Sequence, residues 1–340
     1  MPPTPTRRTV LSEVILLDVG HGNCSIVRSG EQAAVVDAGH GATLWETLNQ
    51  EGIKTVHAVI ISHADRDHIA GVANLLTSKE ISIETIYVNP DATKNMCGAS
   101  WWNMLRSAVA DARKHKGTKS KIGVTTDDPG IIDIGDIQLE VMFPTPELVM
   151  GGPGAKTPDG KHDLTSNTVS IVLRATYKGV PLVLLTGDID GTGLEQMRGE
   201  KEDISAKVLV FPHHGGLPGR EQPEAFTQRL LDGTNAEMVF FSNGRSHHSN
   251  PRPEIIEAIS SRANVKVICS QLSKSCSEEC ANSSAHINEL PAKGKHAGDS
   301  CGGSIRLKFD DLISSDYASL KGHEVFVASI QSALCRRSQN

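Results

Sequence analysis

The sequence predicts an α+β protein built from two similar β-rich halves that face each other. Three observations carry that expectation. Short β-branched apolar runs alternate with helix-period stretches from residue 11 onward, as strand–helix–strand units do. One pattern recurs: Ser25 to Arg28, a turn at Ser29-Gly30 and Val35 to Asp37 are mirrored by Ser170 to Arg174, a turn at Lys178-Gly179 and Val183 to Asp188. Ligand-type side chains follow apolar strands directly in both halves, where α/β sheets build their sites. Two ordinary hairpins are the plain alternative to a duplication.

The elements follow in order. Residues 1–10 are Pro-rich with basic Arg7-Arg8 and no apolar stretch behind them, and read as a disordered arm, not a signal peptide. A single domain is expected over 11–312, in halves of about 11–147 and 164–312. Strands at 14–18 and 25–28 flank Gly20-His21-Gly22-Asn23, and a third runs over 33–39. A helix at 42–51, a buried strand at 58–62, a helix at 69–76, a strand at 85–89 and a helix at 99–116 follow. Residues 131–143 read as two strands around Gly135-Asp136, and the Gly- and Pro-rich 148–163 as a loop or flap. Beyond the repeat come strands at 207–211, 238–242 and 265–269, a helix at 253–261 and a polar Cys/His-containing insertion at 270–300. A final strand at 302–309 precedes a C-terminal extension, 313–340, whose end from Ser332 reads as a loose tail.

A chain of 340 residues and 36.4 kDa can bury a sizeable core, and 38% hydrophobic with 22% charged residues fits a globular protein. A net charge of −6 argues against a broad basic surface for duplex nucleic acid. Seven cysteines, odd in number and unevenly spread, argue against a complete disulfide framework. No apolar run approaches the roughly 20 residues of a membrane span, so no membrane partner is expected and the cytoplasm is the default compartment.

The chemistry concentrates at His63-Ala-Asp65-Arg-Asp67-His68, four ligand-type side chains in six residues after a buried strand. If the strand continues into the motif, His63 and Asp65 share a face, while Asp67 and His68 open the next helix. Imidazole and carboxylate converging at a strand end suit a divalent cation; the bland alternative is a polar turn with a satisfied histidine. Further candidates follow later strands: Asp188, the pair His213-His214, and Arg245 with His247-His248. Cys269, Cys276, Cys280 and Cys301, with His286 and His296 nearby, have spacing suited to a small structural metal site, against buried cysteines and exposed histidines as the plain reading.

These residues resemble the metallo-β-lactamase-fold hydrolases, and within them the nuclease-like domain of ComEC-type DNA-uptake proteins. The family signature His-x-His-x-Asp-His appears as His63-Ala-Asp65-Arg-Asp67-His68, with the ComEC-type aspartate at the second position and Ile69-Ala-Gly71 after it. Leu17-Asp18-Val-Gly-His21-Gly-Asn23, Val36-Asp37-Ala-Gly39, Ser166-Asn167-Thr-Val-Ser170, Leu185-Thr-Gly-Asp188, His213-His214-Gly215 and Ser242-Asn-Gly-Arg245 fall in the family order. The resemblance implies an αββα sandwich, the metallo-β-lactamase fold with two pseudo-repeated halves. It further implies one or two divalent ions, zinc or manganese, held by His63, Asp65, Asp67, His68, Asp188 and one of His213 and His214, with Asp188 bridging. Asn167 stands where many members carry a third histidine, which weakens one site and leaves it a substrate contact. His21 and Asn23 also depart from the usual opening.

Such ions activate water and stabilise charge on a phosphodiester in the transition state. Asp67 is assigned a double role, ligand and orienter of the nucleophilic water. His248 or His247 is the candidate general acid, and Arg245 a phosphate clamp or a solvated loop side chain. The expected function is therefore metal-dependent phosphodiester hydrolysis, with nucleic acid or a nucleotide as partner. The alternatives are hydrolysis of a small molecule (a cyclic nucleotide, lactone or thioester) and a non-catalytic metal-binding regulatory module.

Overall fold

The computed structural model describes residues 11–95, 100–245, 248–262, 264–279 and 289–339. The chain begins with strands β1 (Ser12–Leu16), β2 (Ser25–Ser29) and β3 (Gln32–Val36), helix α1 (Thr43–Gln50), β4 (Thr55–Ile60), α2 (Arg66–Thr77), β5 (Ser82–Val88), α3 (Ser100–His115) and β6 (Lys119–Ile122). Next come β7 (Ile131–Ile134), β8 (Ile137–Phe143), α4 (Pro146–Gly151), β9 (Val172–Tyr177), β10 (Val180–Leu185), α5 (Gly191–Glu200), β11 (Val208–Val210), α6 (Pro223–Thr234), β12 (Met238–Phe241), α7 (Pro253–Ser260) and β13 (Lys266–Cys269). The last are α8 (Lys293–Ala297), β14 (Ile305–Lys308), α9 (Phe309–Ile313) and α10 (Lys321–Ser329).

Two seven-stranded sheets result, ordered β14-β1-β2-β3-β4-β5-β6 and β13-β12-β11-β10-β9-β8-β7. The duplication read in the sequence has a counterpart here. Antiparallel hairpins β2–β3 and β9–β10 each lead into a run of parallel strands, β3 to β6 and β10 to β13. The exchange between halves differs from the expected boundary at 148–163: β7 and β8 already belong to the second sheet, and β14 returns to the first. That return is held by charge as well as backbone pairing. Arg306 on β14 donates to Glu13 Oε1 and Glu51 Oε1, both at 2.6 Å, and Glu13 is fully buried.

Strand side chains alternate between layers. On β11, the residue that follows it and β12, Val208, Val210, Met238 and Phe240 pack between the sheets, while Leu209, Phe211, Val239 and Phe241 pack under the helices. A third apolar layer joins Ile15, Val35 and Val59 to Leu48, Ile69 and Leu105 on the outer face of the first sheet. This is the αββα arrangement. Covered on both faces, the central strands read as unbroken apolar runs, each buried Val, Leu or Ile contributing about 1.5–3 kcal/mol relative to exposure. The end of the chain departs from the loose-tail reading, because Ile330, Ala333 and Leu334 are buried in the second sheet's outer core. Among the described residues, no helix is long and apolar enough to cross a membrane.

Candidate metal centre

Parallel strands that end at one edge of the sandwich bring their trailing loops together there. After β3 comes Asp37, after β4 the motif, after β10 Asp188, after β11 His213-His214 and after β12 Ser242. The motif itself is not strand: β4 ends at Ile60, residues 61–65 are loop, and Asp65 precedes the first turn of α2 in extended conformation. His63 and Asp65 meet all the same, with Nε2 and Oδ2 3.7 Å apart. Asp67 lies in the first turn of α2, where the helix dipole favours a carboxylate. Gly187 makes the junction of the halves possible. Its φ is +52°, and a Cβ there would collide with Ser170 Oγ and stand 2.8 Å from Ser62 Cβ.

Four side chains converge. Asp67, His68, Asp188 and His214 each offer one ligand atom, all within 4.8 Å of one another. His68 Nε2 is 3.2 Å from Asp188 Oδ1, and His214 Nε2 is 3.1 Å from Asp67 Oδ2 and 3.6 Å from Asp188 Oδ2. His63 stands beside them, its Nε2 3.8 Å from Asp188 Oδ2. Bonds of about 2.0–2.2 Å place opposite donors up to about 4.4 Å apart, so this group closes on an ion with small adjustments.

Hydrogen bonding outside the cluster aims all three imidazoles inward. His68 Nδ1–H donates to Asp37 Oδ2 at 2.8 Å, and His214 Nδ1–H donates to the Ser242 carbonyl, an acceptor only, at 2.8 Å. Ser62 spends its one hydroxyl proton on Asp37 Oδ2 at 2.7 Å, so its oxygen accepts from His63 Nδ1–H at 3.1 Å. Each Nε2 lone pair is thereby left for the centre, the tautomer a metal ligand needs. His63 Nε2, His68 Nε2 and Asp188 Oδ1 are buried without a hydrogen-bond partner. Buried polar atoms are rarely left so, and a divalent cation would satisfy all three. The residues fit such an ion.

Charge follows the same geometry. Burial alone would push His68 down, but the carboxylates of Asp188, Asp37 and Asp67 hold it well above the ordinary imidazole range. Burial would likewise raise Asp188, but His68 and His214 hold it well below the usual carboxylate range. The two aspartates of the repeat thus flank His68 on opposite sides, Asp37 bonded to Nδ1 and Asp188 Oδ1 standing 3.2 Å from Nε2. Asp65 lies outside the four. The Lys94 ammonium pairs with its Oδ1, and despite burial His63 and Lys94 hold its carboxyl near 2.

A metallo-beta-lactamase superfamily model matches residues 17–156, a stretch that contains His21, Asp37 and the whole motif. Over that stretch the chain is similar to the metallo-β-lactamase superfamily. ComE operon protein 3 of Bacillus subtilis (strain 168) is 26% identical over 282 residues, covering 75% of this chain and 31% of that protein. The chain thus spans about a third of the length of this curated relative. Among solved structures, the metallo-beta-lactamase fold protein YhfI from Bacillus subtilis is similar at 16% identity and a TM-score of 0.45, covering 75% of this chain and 96% of that one. Zn(2+)-bound PqqB from Methylobacterium extorquens is similar at 13% identity and a TM-score of 0.47, covering 76% and 97%.

The structure disposes of the other expected residues differently. His214 enters the cluster and His213 does not: consecutive left-handed residues, φ 53° and 56°, turn the two rings apart, and His213 Nδ1 faces the Leu217 carbonyl at 3.0 Å. The phosphate-clamp reading of Arg245 is corrected. Its buried guanidinium donates to the carbonyls of Leu272 (2.7 Å), Ser277 (3.0 Å) and Glu278 (2.8 Å) and lies 3.5 Å from Asp299 Oδ1, which anchors the 270–279 segment. Asn167 is half-buried in the turn before Ser170, whose N–H donates to its backbone carbonyl at 3.1 Å, and it stays out of the cluster. His248 is exposed and its ring centre lies 4.8 Å from that of His21. His247, Cys280 and His286 lie outside the described residues.

His21 is the residue the sequence reading left without a role. Its Nε2 is 3.4 Å from Asp67 Oδ2, and its ring centre is 4.4 Å from that of His214. Burial, then His214, push its imidazole down to about 3, so it stays neutral. The available signal was the flanking glycine: a Cβ on Gly22 would strike the Asp67 carbonyl oxygen, so only glycine lets this loop lie on the start of α2.

Proposed function

We propose that this chain is a metal-dependent hydrolase of phosphodiesters, a nuclease or nucleotide phosphodiesterase. The observation that carries the reading is the convergence of Asp67, His68, Asp188 and His214, with their imidazole lone pairs aimed at one point. A divalent cation there, zinc or manganese, would polarise a phosphoryl oxygen and acidify a water molecule. The mixed set of two imidazoles and two carboxylates suits either metal. His63 and Asp65 would complete a second, weaker position, in competition with Lys94.

The surrounding residues supply the rest. Asp67 Oδ2 faces His21 and His214, and Oδ1 is the atom we assign to orient the attacking water. Water attacks phosphorus as the bond to the leaving oxygen breaks, and His248, exposed beside His21, gives that oxygen its proton. The ammonium groups of Lys94 and of Lys293, which packs against Gly20, would offset the acids towards an anionic substrate. The likeness to ComE operon protein 3 supports the same branch of the superfamily.

The test is a panel of bis(p-nitrophenyl) phosphate, cyclic nucleotides, and single- and double-stranded DNA and RNA, each with manganese or zinc. Cleavage lost in Asp67→Ala, and reduced in His248→Ala with metal binding retained, supports the reading. Turnover of lactones or thioesters alone would replace it with the small-molecule reading, and metal binding without turnover with a regulatory module.

A further inference from the structure

Among the described residues, the cysteines expected to act together form no second group of converging ligand atoms: Cys269, Cys276 and Cys301 are buried free thiols. A different arrangement stands at the rim of the strand-end centre. Arg66 lies between two residues of the motif, Asp65 and Asp67, and is the first residue of α2. It is exposed, and among the described residues its side chain makes no ion pair or hydrogen bond. Instead its guanidinium stands over the ring of Trp101, 5.0 Å from the centroid. His40, three residues beyond Asp37, meets the same indole edge-on, with ring centres 6.2 Å apart and an interplanar angle of 85°.

The fold holds each member in place. Helix α3 opens Ser100-Trp101-Trp102, with Trp102 buried in the outer core of the first sheet and Trp101 half-buried against it. Gly71 lets the loop after Asp37 lie against α2, since a Cβ there would stand 2.6 Å from the Gly39 carbonyl oxygen. Arg66 and Asp67 are neighbours in the chain, with Cα atoms about 3.8 Å apart, so the guanidinium and the metal cluster share one rim. A guanidinium backed by an indole on one face offers its other face to solvent. Such a planar cation stacks on an unpaired nucleobase, whereas the faces of bases inside a duplex are already covered. Beside His40, a groove of about 570 Å³ between α1 and α2, lined by Trp45, Gly71 and Leu75, has room for a second planar base.

We infer that Arg66, backed by Trp101 with His40 at its edge, is the subsite that stacks the unpaired base of the nucleotide carrying the scissile phosphodiester. This role rests on the phosphodiester hydrolysis proposed above and narrows its substrates to single strands or free nucleotides over duplex. A net charge of −6 accords with it, because a stacked base supplies affinity that does not depend on a broad basic surface. Arg66 and Trp101 bind; the chemistry stays with Asp67, His68, Asp188 and His214.

Fluorescence anisotropy of a fluorescein-labelled oligothymidylate single strand tests the subsite on the metal-free full chain, where no cleavage intervenes. The parent should bind that strand about 10-fold more tightly than a base-free sugar-phosphate strand of the same length, and more tightly than its duplex with oligoadenylate. In Arg66→Lys, which keeps the charge but not the plane, and in Trp101→Leu, the preference for bases should fall towards one-fold. Should Trp101→Leu fail to fold, the exposed Arg66→Lys still decides. Competition by thymidine 5′-monophosphate at the affinity of the strand identifies a free nucleotide as the source of the base, weaker competition identifies a strand, and both support the subsite. No binding of the strand, equal affinity with and without bases, equal affinity for duplex, or a base preference untouched by the variants would overturn it. Hydrolysis of phosphodiesters by the manganese-loaded parent separates the two levels. Hydrolysis without base preference removes the subsite alone, and no hydrolysis of any phosphodiester removes the function on which it rests.

Discussion

Replacing Asp37 by Asn tests how the centre is held together without touching any of the four converging side chains. Asp37 has φ +58°, a conformation that Asn tolerates, so the backbone is undisturbed. Its two oxygens accept three hydrogen bonds: Ser62 N–H at 2.7 Å, Ser62 Oγ–H at 2.7 Å and His68 Nδ1–H at 2.8 Å. In the variant, Oδ1 keeps Ser62 N–H and the new amide nitrogen takes the other position. A donor then faces His68 Nδ1, so the ring must carry its proton on Nε2 and turns an N–H towards Asp188. The lone pair that should meet a cation is gone. Loss of such an outer partner weakens metal binding by about 10–100-fold, or about 1.4–2.7 kcal/mol. Asp37→Ala adds about 1–2 kcal/mol of backbone strain, because alanine resists the left-handed conformation. Competition with a chromophoric chelator measures the affinity, and urea unfolding of the metal-free proteins measures the strain. Unchanged metal affinity in Asp37→Asn would refute the tautomer argument.

Other perturbations have equally definite outcomes. Lys94→Gln releases Asp65, so saturating manganese should rise from about one equivalent towards two, by calorimetric titration; an unchanged count would remove Lys94 as the competitor. Arg245→Lys cannot span three carbonyls and should lose about 2–4 kcal/mol of stability in urea unfolding while KM per folded molecule is unchanged; a raised KM at constant stability would restore the phosphate clamp. Burial pushes the Asp18 carboxyl up to about 6, so the folded chain keeps a proton that the unfolded chain loses near 3.8. This contribution is fully present below about 4 and fades as pH rises to about 6, a loss of about 3 kcal/mol at neutral pH. Subtracting the stability profile of metal-free Asp18→Asn from that of the parent should reveal the decline, and parallel profiles would exclude it.

Much of the fold was legible because doubly covered strands leave continuous apolar runs, as at Val183 to Leu185 and Met238 to Phe241. Elements whose residues give no periodic signal were not. β6, Lys-Ser-Lys-Ile, is a charged edge strand, and α5 opens Gly-Thr-Gly, helical because Asp190 accepts from Gly193 N–H at 2.9 Å and Leu194 and Met197 are buried. At the centre, the motif spacing singled out Asp67 and His68 and the repeat singled out Asp188, and the structure brings ligand atoms of the three within 4.8 Å of one another. Choosing between His213 and His214 required the left-handed turn, and Arg245 looked like a clamp because its carbonyl partners lie 27–33 residues away. His21 reaches Asp67 through a close backbone approach whose one local sign in the sequence is the flanking Gly22.

Manganese binding tests the central claim most directly, because this hard cation seeks carboxylate and imidazole ligands. Calorimetric titration of the metal-free chain should show at least one equivalent bound, and Asp188→Ala or His214→Ala, with an unchanged circular dichroism spectrum, should bind none. Equal binding by the parent and both variants would contradict a metal centre built on Asp67, His68, Asp188 and His214.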